Sequence, residues 1–575
     1  MDFYKVILNT LFKLDKKKTY IIFFLIMIGT ALEILSIGSI IPLISFISNP
    51  ENFNFVLIKN INIFEGKTFL ILILIVFFVY LFKSIFLILI NYKQNIFAWN
   101  LYEKISNLIY SNYINKKYSF HLKHHSSELT RNIKDEIKKF VSGAVIPLLN
   151  LIIEFITLFS IFILLAIYNF KVTIFASSTL LIFVGLFILI TKKPILNFGM
   201  KRQTFDQVIL KKLSETFQSI REIKIIKLQD LMINSFKKEV QNISITLAKY
   251  DTLKNSPKYL LELVIIILLM GFFLIGNSEK SNTDELFASI TLFAVAALRL
   301  IPSFTRIINH IQTLKFNTPS CQVIIKELNS PMINLSSLEK VSEIKFLKQV
   351  KLNNIFFKYN FEKNGRNDQF VLNNLNFMLN KGEIIGISGD SGSGKSTLLD
   401  IFTGLLKPIK GSIDVDEISI QKDEQLLSWQ NNISYVHQNS AFFNDTIKNN
   451  ITLFQGKFDQ KYYEKIIDCV CLKEFINNLA NKDDSELGEK AINISGGEKQ
   501  RIALARAIYM NKDILILDEA TNALDEEMEK KVINNILNLI KNKNVIIVSH
   551  NSKILNNCDK IYEINNGTMN LSGKS

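Results

Sequence analysis

The amino-acid sequence predicts an all-α transmembrane domain at residues 1–317, followed by an α/β nucleotide-binding domain with a phosphate-binding loop at residues 347–575. Three observations lead to this prediction. Long apolar runs occur only between residues 20 and 310, short apolar strands alternate with polar helices after residue 345, and a glycine-rich loop follows one of these strands. A chain of 575 residues also exceeds what a single hydrophobic core organises. Residues 318–346, where the apolar runs stop and charge rises, are the predicted linker.

Six apolar runs in the first domain are long enough to cross a bilayer, because a membrane-spanning helix needs about 20 apolar residues. These runs are residues 20–48, 68–92, 144–167, 172–192, 260–277 and 283–307. The first run is too long for the core of a signal peptide and lacks a small-residue cleavage site, so we expect it to be retained as a helix. The sequence therefore predicts six transmembrane helices.

Basic residues are distributed unevenly between the connections. The long connections at 94–143 and 193–259 contain eight and thirteen Lys and Arg residues, whereas the three short connections together contain four. Basic loops stay on the cytoplasmic side of a membrane, which places both long connections, both termini and the second domain in the cytoplasm. The net charge of +15 is explained by these loops, and no nucleic-acid partner is predicted.

Each long connection has room for two antiparallel helical arms of about 24 residues, which would project about 35 Å from the membrane. Residues 120–128 and 213–223 fall at the turns of these arms and are candidates for contact with the second domain; the alternative is that they are solvated arm tips. The apolar outer connection at 49–67 is either a helix in the membrane interface or a loop packed on neighbouring helices.

The stretch from residue 389 to 397 reads GDSGSGKST and fits the phosphate-binding pattern G-x-x-x-x-G-K-[ST]. Its glycines let consecutive backbone N–H groups converge on phosphate oxygens. Lys395 would bind the β- and γ-phosphates of ATP, and the Ser396 hydroxyl would bind Mg²⁺. The loop residues predicted to contact ATP are Gly389, Ser391, Gly392, Gly394, Lys395, Ser396 and Thr397.

Two further apolar strands end in side chains suited to phosphoryl transfer. Residues 514–519 end in Asp518, which suits Mg²⁺, and Glu519, which suits deprotonating or orienting the attacking water. Residues 545–550 end in His550, which would reach the γ-phosphate. Taken singly, each has a structural alternative, since acidic residues and histidines often follow strands.

Residues 494–498 read Ile-Ser-Gly-Gly-Glu and resemble the LSGGQ signature of ATP-binding cassette (ABC) proteins, with Ile494 and Glu498 as variants. The signature, the phosphate-binding loop and the two strands follow one another in that family's order over residues 352–563. Six predicted spans before one cassette resemble the half-transporter layout of type IV ABC exporters. The resemblance thus covers the whole chain.

The resemblance implies further roles. Gln438 matches the glutamine that contacts Mg²⁺ and faces the membrane domain, and Tyr359 matches the aromatic residue that stacks on adenine. Ser495 and Gly497 would close over ATP held by a second cassette. Because each chain has one cassette, the resemblance implies a dimer, most simply a homodimer, although a heterodimer with a related chain stays open. ATP and Mg²⁺ are the cofactors that it implies.

Four basic residues lie within or next to the predicted spans: Lys83, Lys258, Arg299 and Arg306. Charge inside a bilayer is expensive and usually functional, so a basic cavity that binds phosphate or pyrophosphate is one interpretation. Snorkelling to the interface is the alternative for Lys258 and Arg306. A second alternative is pairing with acidic residues in the spans, namely Glu33, Glu154 and Glu262.

The runs 297–308, 79–83 and 257–258 resemble those of bacterial flippases for lipid-linked oligosaccharides of the protein N-glycosylation (Pgl) type. This resemblance implies an anionic polyprenyl-pyrophosphate-linked oligosaccharide as cargo, moved to the outer leaflet of the bacterial inner membrane. The four basic residues would then engage the pyrophosphate. The alternatives are a multidrug or lipid exporter and a peptide exporter.

Overall fold

The computed structural model describes residues 2–39, 65–168, 170–278, 283–331, 344–359, 370–456, 458–488, 494–541 and 543–574. Most of the apolar connection predicted at 49–67 lies outside these ranges. The chain divides into two compact units. Unit 1 contains Met1–Lys116 and His124–Ile333, and unit 2 contains Lys117–Lys123 and Asn334–Ser575.

Unit 1 is helical throughout its described residues. Its helices are α1 (Asp2–Gly38), α2 (Glu65–Ile114), α4 (Ser126–Arg131), α5 (Ile137–Phe140), α6 (Ile146–Tyr168), α7 (Phe170–Gln218), α8 (Ile220–Ile226), α9 (Gln229–Ser278), α10 (Thr283–Phe316) and α11 (Thr318–Leu328). The π-helical turns Asn132–Glu136 and Val141–Val145 join α4, α5 and α6 into one continuous helical run.

Four stretches in the described part of unit 1 are long and apolar enough to cross a membrane: Lys5–Ser36, Leu70–Ile114, Ser126–Ile163 and Ser177–Gln218. The fifth and sixth predicted runs fall within α9 and α10, and the structure does not describe many of the side chains there. The count of six spans therefore stays a prediction. The first part of the predicted linker at 318–346 is helical, since residues 318–328 form helix α11 within unit 1.

The predicted helical arms are present, because α2, α7 and α9 are 50, 49 and 50 residues long and extend well past their apolar runs. The arms of α7 and α9 are bonded side by side, since the ammonium of Lys212 lies 3.1 Å from a carboxylate oxygen of Glu239. Helix α8 forms the turn between them and ends at Lys227, whose φ of 58° is left-handed.

In unit 2, helix α3 (Tyr118–Lys123) accompanies an α/β domain. The ammonium of Lys117, which precedes this helix, lies 2.8 Å from the carboxylate of Asp423. The same carboxylate lies 2.5 Å from Lys407. Residues 117–123 are therefore part of the unit that holds the phosphate-binding loop, whereas residues 124–128 of the predicted contact belong to unit 1.

Two sheets form the framework of unit 2. The strands are β1 (Gln349–Phe357), β2 (Leu372–Asn380), β3 (Ile384–Gly389), β4 (Lys410–Val415), β5 (Ile418–Ser419), β6 (Ile433–Val436), β7 (Ile514–Asp518), β8 (Asn544–Val548), β9 (Lys560–Asn565) and β10 (Thr568–Lys574). One sheet is antiparallel with the order β2-β1-β4-β5, and the larger one has the order β10-β9-β3-β8-β7-β6.

Unit 2 has eight further α-helices among its described residues. After α3 they are α12 (Lys395–Phe402), α13 (Asp423–Gln430), α14 (Ile447–Thr452), α15 (Gln460–Cys469), α16 (Lys473–Asn477), α17 (Gly496–Tyr509), α18 (Glu526–Leu539) and α19 (Ser552–Leu555). Between the two sheets, Trp429 is fully buried and its indole N–H donates to the carbonyl of Phe402 at 2.7 Å.

The central strands of the larger sheet explain the apolar runs in the sequence. All five residues of β7 and of β8 are buried, as expected for parallel strands that are covered on both faces. Strands β3, β8, β7 and β6 run parallel, so their carboxyl ends meet at one edge of the sheet. Ligands of such open α/β sheets bind at that edge.

Candidate active site

The phosphate-binding loop lies between β3 and α12, and its backbone requires glycine. Gly389 has a φ of 146°, and a Cβ added there would lie 2.5 Å from the carbonyl oxygen of Ile564. Gly394, with a φ of 109°, would place a Cβ 2.8 Å from a methyl carbon of Leu372. Any side chain at either position would push the loop away from its neighbours. The loop therefore has the close approach and left-handed turns that a phosphate cradle needs.

Lys395 is buried and its ammonium spans the loop. It donates to the carbonyl oxygens of Gly389 at 2.6 Å and Asp390 at 2.9 Å, and it lies 3.4 Å from Nε2 of His550. These are bonds that a lysine can exchange for phosphate oxygens. Ser391, Gly392 and Ser396 are exposed around it.

Tyr359 lies beside the helix that follows the loop, as its predicted role at the adenine requires. Its hydroxyl is 3.1 Å from Oγ1 of Thr397, and its ring meets Phe357 edge to face at 5.0 Å. Burial raises the pKa of its phenol, so the hydroxyl is neutral at physiological pH.

Glu519 follows β7 and lies at the centre of a hydrogen-bonded group. Its backbone is left-handed, with a φ of 47°, which directs the side chain away from the strand. One carboxylate oxygen accepts from Nε2 of Gln438 at 2.7 Å and from Nδ2 of Asn522 at 2.8 Å. The other lies 3.1 Å from Nε2 of His550. The structure thus brings together the three residues predicted to be catalytic: Glu519, Gln438 and His550.

Asp518 is the last residue of β7 and is buried. Its carboxylate accepts from the hydroxyl of Tyr435 at 2.9 Å. Burial raises the pKa of this carboxyl, and the bond from Tyr435 opposes the rise. A carboxylate offers the kind of oxygen ligand that Mg²⁺ prefers. Asp518, Ser396 and Gln438 are the residues that would hold the ion.

Sequence reasoning did not assign a role to Tyr435. Tyr435 is on β6, paired with Ile516 of β7, and so reaches the carboxylate at the end of the neighbouring strand. The available signal was a tyrosine in the short strand that ends two residues before Gln438. Asn522, three residues after Glu519, reaches back to the same carboxylate oxygen as Gln438.

The signature residues lie at the N-terminus of the 14-residue helix α17. Ser495 caps this helix, because its hydroxyl accepts from the backbone N–H of Glu498 at 3.2 Å. A carboxylate oxygen of Glu498 accepts in return from the backbone N–H and the hydroxyl of Ser495, each at 2.7 Å. The variant Glu498 therefore completes a capping box. Ser495 is exposed and Gly497 half-buried, so the helix end is open to a partner.

The four basic residues predicted to bind cargo have different surroundings. Lys83 is only 7% exposed, donates to the hydroxyl of Ser36 at 3.0 Å and lies 5.1 Å from the centre of the Tyr80 ring. Lys258 is exposed. Arg299 is not among the residues whose side chains the structure describes.

Arg306 forms a two-pronged ion pair with Glu154: Nε contacts one carboxylate oxygen, and Nη2 lies 3.3 Å from the other. This side chain is not an unbalanced cation, which corrects the expectation that all four bases contribute net positive charge to a common lining.

As a whole, the edge of the large sheet can bind a nucleoside triphosphate and cleave its terminal phosphate. The phosphate-binding loop supplies N–H donors and a lysine, and Asp518 supplies an anionic oxygen for Mg²⁺. Glu519 supplies a base oriented by three neighbours. These are the positioning and charge-stabilising groups that phosphoryl transfer requires.

Comparison with known proteins agrees with this geometry. Residues 372–522 match the family model described as ABC transporter, and residues 19–298 match the model described as ABC transporter transmembrane region. A solved structure of a bacterial Atm1-family ABC exporter with ATP bound superposes with a TM-score of 0.81, covering 97% of this chain and 95% of that chain at 18% identity. At that identity the likeness shows the fold.

Two curated relatives extend the comparison. The multidrug resistance-like ATP-binding protein MdlA of Buchnera aphidicola is 29% identical over 88% of this chain and 86% of its own length. The ATP-dependent lipid A-core flippase of Desulfotalea psychrophila is 29% identical over 65% of each chain. With both family models matched in this order and the exporter fold, the chain is an ABC exporter half-transporter, a membrane-embedded protein that couples ATP hydrolysis to transport.

Proposed function

We propose that this exporter is a flippase that moves a polyprenyl-pyrophosphate-linked oligosaccharide from the cytoplasmic to the outer leaflet of the bacterial inner membrane. The observation that carries the proposal is Lys83, a cation buried among the spanning helices of unit 1. A buried ammonium in a membrane domain costs free energy that a structural role seldom justifies. A diphosphate headgroup is a ligand whose anionic oxygens an ammonium at this position would bind.

The hydrogen bond from Lys83 of α2 to Ser36 of α1 supports this role, because it holds the buried ammonium between these two helices. Arg306 contributes differently. Glu154 balances its charge, so it would offer an unbalanced positive charge to a phosphate only by leaving Glu154. Lys258 and Arg299 remain proposed members of the same lining. A lipid cargo is also supported by the relative that is named as a lipid A-core flippase.

The second candidate is a multidrug exporter, and the Arg306–Glu154 pair is the observation that favours it. An ion pair adds no net charge to a cavity, so a cavity with paired bases can accept uncharged or cationic compounds. A relative of this chain is named as multidrug resistance-like. The two candidates differ in the charge of the preferred cargo, which transport assays measure directly.

We further propose that two copies of the chain assemble into the working transporter. The exposed helix end at Ser495 would close over ATP bound by the partner, and each dimer would have two identical sites. Helix α8 also presents apolar side chains at the tip of its arm: Ile225 is 70% exposed and Ile226 64%. Burying these side chains against a second copy would remove an apolar surface that is unfavourable in water.

In the proposed hydrolysis step, Lys395 exchanges the loop carbonyls for phosphate oxygens, and Tyr359 contacts the adenine. Glu519 takes a proton from the attacking water, while Gln438 and Asn522 hold its carboxylate in place. His550 is placed to contact the γ-phosphate. Mg²⁺, when bound at Asp518, Ser396 and Gln438, neutralises charge on the phosphates.

The test uses the full-length protein in liposomes with Lys83→Gln. We expect this variant to keep basal ATP hydrolysis and to lose most of its translocation of a polyprenyl-pyrophosphate oligosaccharide. The matched control is Lys237→Gln, which removes an exposed lysine from α9 and should leave both activities unchanged. Unchanged flipping by the Lys83 variant would overturn the assignment of the cargo site, and export of a cationic dye alone would favour the second candidate.

A further inference from the structure

A cluster of charged side chains is buried in unit 1 where the arm helices meet helix α11. Glu136, at the end of a π-helical turn, is 0% exposed, Arg131 of α4 is 4% exposed, and Arg202 of α7 is 3% exposed. None of these residues takes part in nucleotide binding or in the proposed cargo site. A buried charged group is costly unless partners satisfy it, so the contacts within the cluster decide its role.

The contacts to Glu136 are ionic but loose. Nε of Arg131 and Nζ of Lys139 each lie 3.9 Å from one carboxylate oxygen, and Nη2 of Arg202 lies 3.8 Å from the other. Neither carboxylate oxygen has a hydrogen-bond partner among the described residues, and the same holds for Nε of both arginines. Charge-assisted hydrogen bonds between these groups have lengths of about 2.8 Å. A shift of about 1 Å would therefore convert these contacts into strong bonds.

Arg202 is hydrogen-bonded to an acceptor other than Glu136. Its Nη2 donates to the hydroxyl of Ser320 at 2.8 Å, and its guanidinium lies 5.3 Å from the centre of the Phe316 ring. Ser320 is on α11, and Phe316 is the last residue of α10. Nη2 of Arg202 thus lies between two acceptors on different elements. It is bonded to Ser320, and a movement of about 1 Å would bring it within hydrogen-bond distance of Glu136.

Helix α11 carries Ser320, so a movement of this helix would change which acceptor Arg202 binds. The chain continues from α11 towards unit 2, and the far end of the helix is bonded to the end of arm α2. There Lys116 lies 3.4 Å from Glu327, and Nδ2 of Asn112 donates to Ser330 at 2.7 Å. The π-helical turn that carries Glu136 is a rare element that often occurs at functional positions.

We propose that Glu136 is a positioning residue for coupling, which receives Arg202 from Ser320 when α11 moves during the ATP cycle. In one arrangement Arg202 ties α7 to α11, and in the other it ties α7 to the α4–α6 helical run. A bistable contact of this kind links a helix joined to the ATPase unit with the arms that lead into the membrane. The proposal rests on the exporter assignment and is independent of the cargo.

The experiment measures the movement of α11 relative to α5 without any cargo. The exposed residues Lys138 and Lys326 are each replaced by cysteine and spin-labelled. Cys471 is replaced by serine to prevent labelling there, and the other three native cysteines are buried. Electron paramagnetic resonance gives the label separation with no nucleotide and after trapping with ATP and vanadate. ATP hydrolysis is measured on the same liposome samples. The substitutions compared are Glu136→Gln and Ser320→Ala.

The two substitutions have opposite expected effects. Glu136→Gln removes the charge that receives Arg202, so hydrolysis should continue within about threefold of the parent while the trapping-induced shift in separation is lost. Ser320→Ala removes the competing acceptor, so the trapped separation should already be present without nucleotide. The control Glu103→Gln changes an exposed carboxylate on α2, outside both arm turns, and should behave as the parent.

A parent-like shift in both variants would overturn the proposal. Retention of the parent's nucleotide-free separation by both variants, with and without trapping, would overturn it as well, because that is what a merely structural contact predicts. If Glu136→Gln fails to fold, Ser320→Ala decides alone, since its small buried change is expected to preserve the fold.

Discussion

Replacing Glu519 by glutamine tests the assigned catalytic base with little disturbance of its surroundings. Gln438 and Asn522 both donate to the same carboxylate oxygen, at 2.7 Å and 2.8 Å, and an amide oxygen at that place can still accept both bonds. The amide nitrogen then takes the place of the other oxygen, 3.1 Å from Nε2 of His550, where it can donate to a neutral imidazole. The change in folding stability should therefore stay within about 1 kcal/mol, the net value of one hydrogen bond.

Hydrolysis should respond far more strongly than stability. An amide cannot take a proton from water, and general base catalysis contributes roughly 10²–10⁴-fold, or about 3–5 kcal/mol of the barrier. We expect Glu519→Gln to bind a fluorescent ATP analogue as the parent does, while phosphate release falls by about 10²-fold or more. Glu526→Gln is the matched control, because its carboxylate on α18 is exposed and paired with Lys553.

Two results would refute this reasoning. Phosphate release above about a tenth of the parent rate would show that another group acts as the base. Loss of ATP binding together with a large fall in melting temperature would show that the carboxylate has mainly a structural role.

Three further predictions concern other parts of unit 2. Gly389→Ala should abolish ATP binding, because the added methyl would lie 2.5 Å from a backbone oxygen; binding of the fluorescent analogue measures this. Tyr435→Phe removes a hydrogen bond that opposes the raised pKa of Asp518, so the pKa should rise further and the acid limb of the ATPase pH profile should move to higher pH. Asp423→Asn should lower stability by about 0.5–1 kcal/mol at pH 7, as for a half-exposed ion pair. Hydrogen bonds from Lys117 and Lys407 lower the pKa of Asp423. The stabilisation is therefore present above about pH 4 and is lost as the pH falls through the lowered pKa. Melting curves at several pH values measure it.

Each of these has a contradicting outcome. Parent-like ATP affinity in the Gly389 variant would mean that the loop can adopt another backbone path. If Tyr435→Phe leaves the pH profile unchanged, the titration of Asp518 does not set its acid limb. A stability difference for Asp423→Asn that is constant down to pH 3 would rule out the ion pair as its cause.

Local patterns in the sequence were sufficient to predict most of the architecture. The strands β7 and β8 are continuous apolar runs because both faces of the sheet are covered, and such runs are visible without any knowledge of contacts. The phosphate-binding loop needs glycine at residues 389 and 394 for local backbone reasons. The ends of parallel strands meet at one edge, so the grouping of Glu519 with His550 also follows from the strand pattern.

Pairings between distant residues could not be predicted in the same way. Arg306 and Glu154 are 152 residues apart in the chain, and the sequence offered Glu154 only as one of three acidic candidates. Glu136 gave no signal, because a single glutamate in a lysine-rich arm resembles any solvated charge. Whether such a residue is buried depends on how the helices pack, which periodicity alone does not determine.

The most direct test of the proposed function is transport by the purified protein in liposomes that contain a polyprenyl-pyrophosphate oligosaccharide and a cationic dye together. The account predicts ATP-dependent movement of the lipid, none in the Glu519→Gln variant, and no uptake of the dye. Uptake of the dye without movement of the lipid would contradict the cargo assignment, and lipid movement by Glu519→Gln at the parent rate would contradict its coupling to ATP hydrolysis.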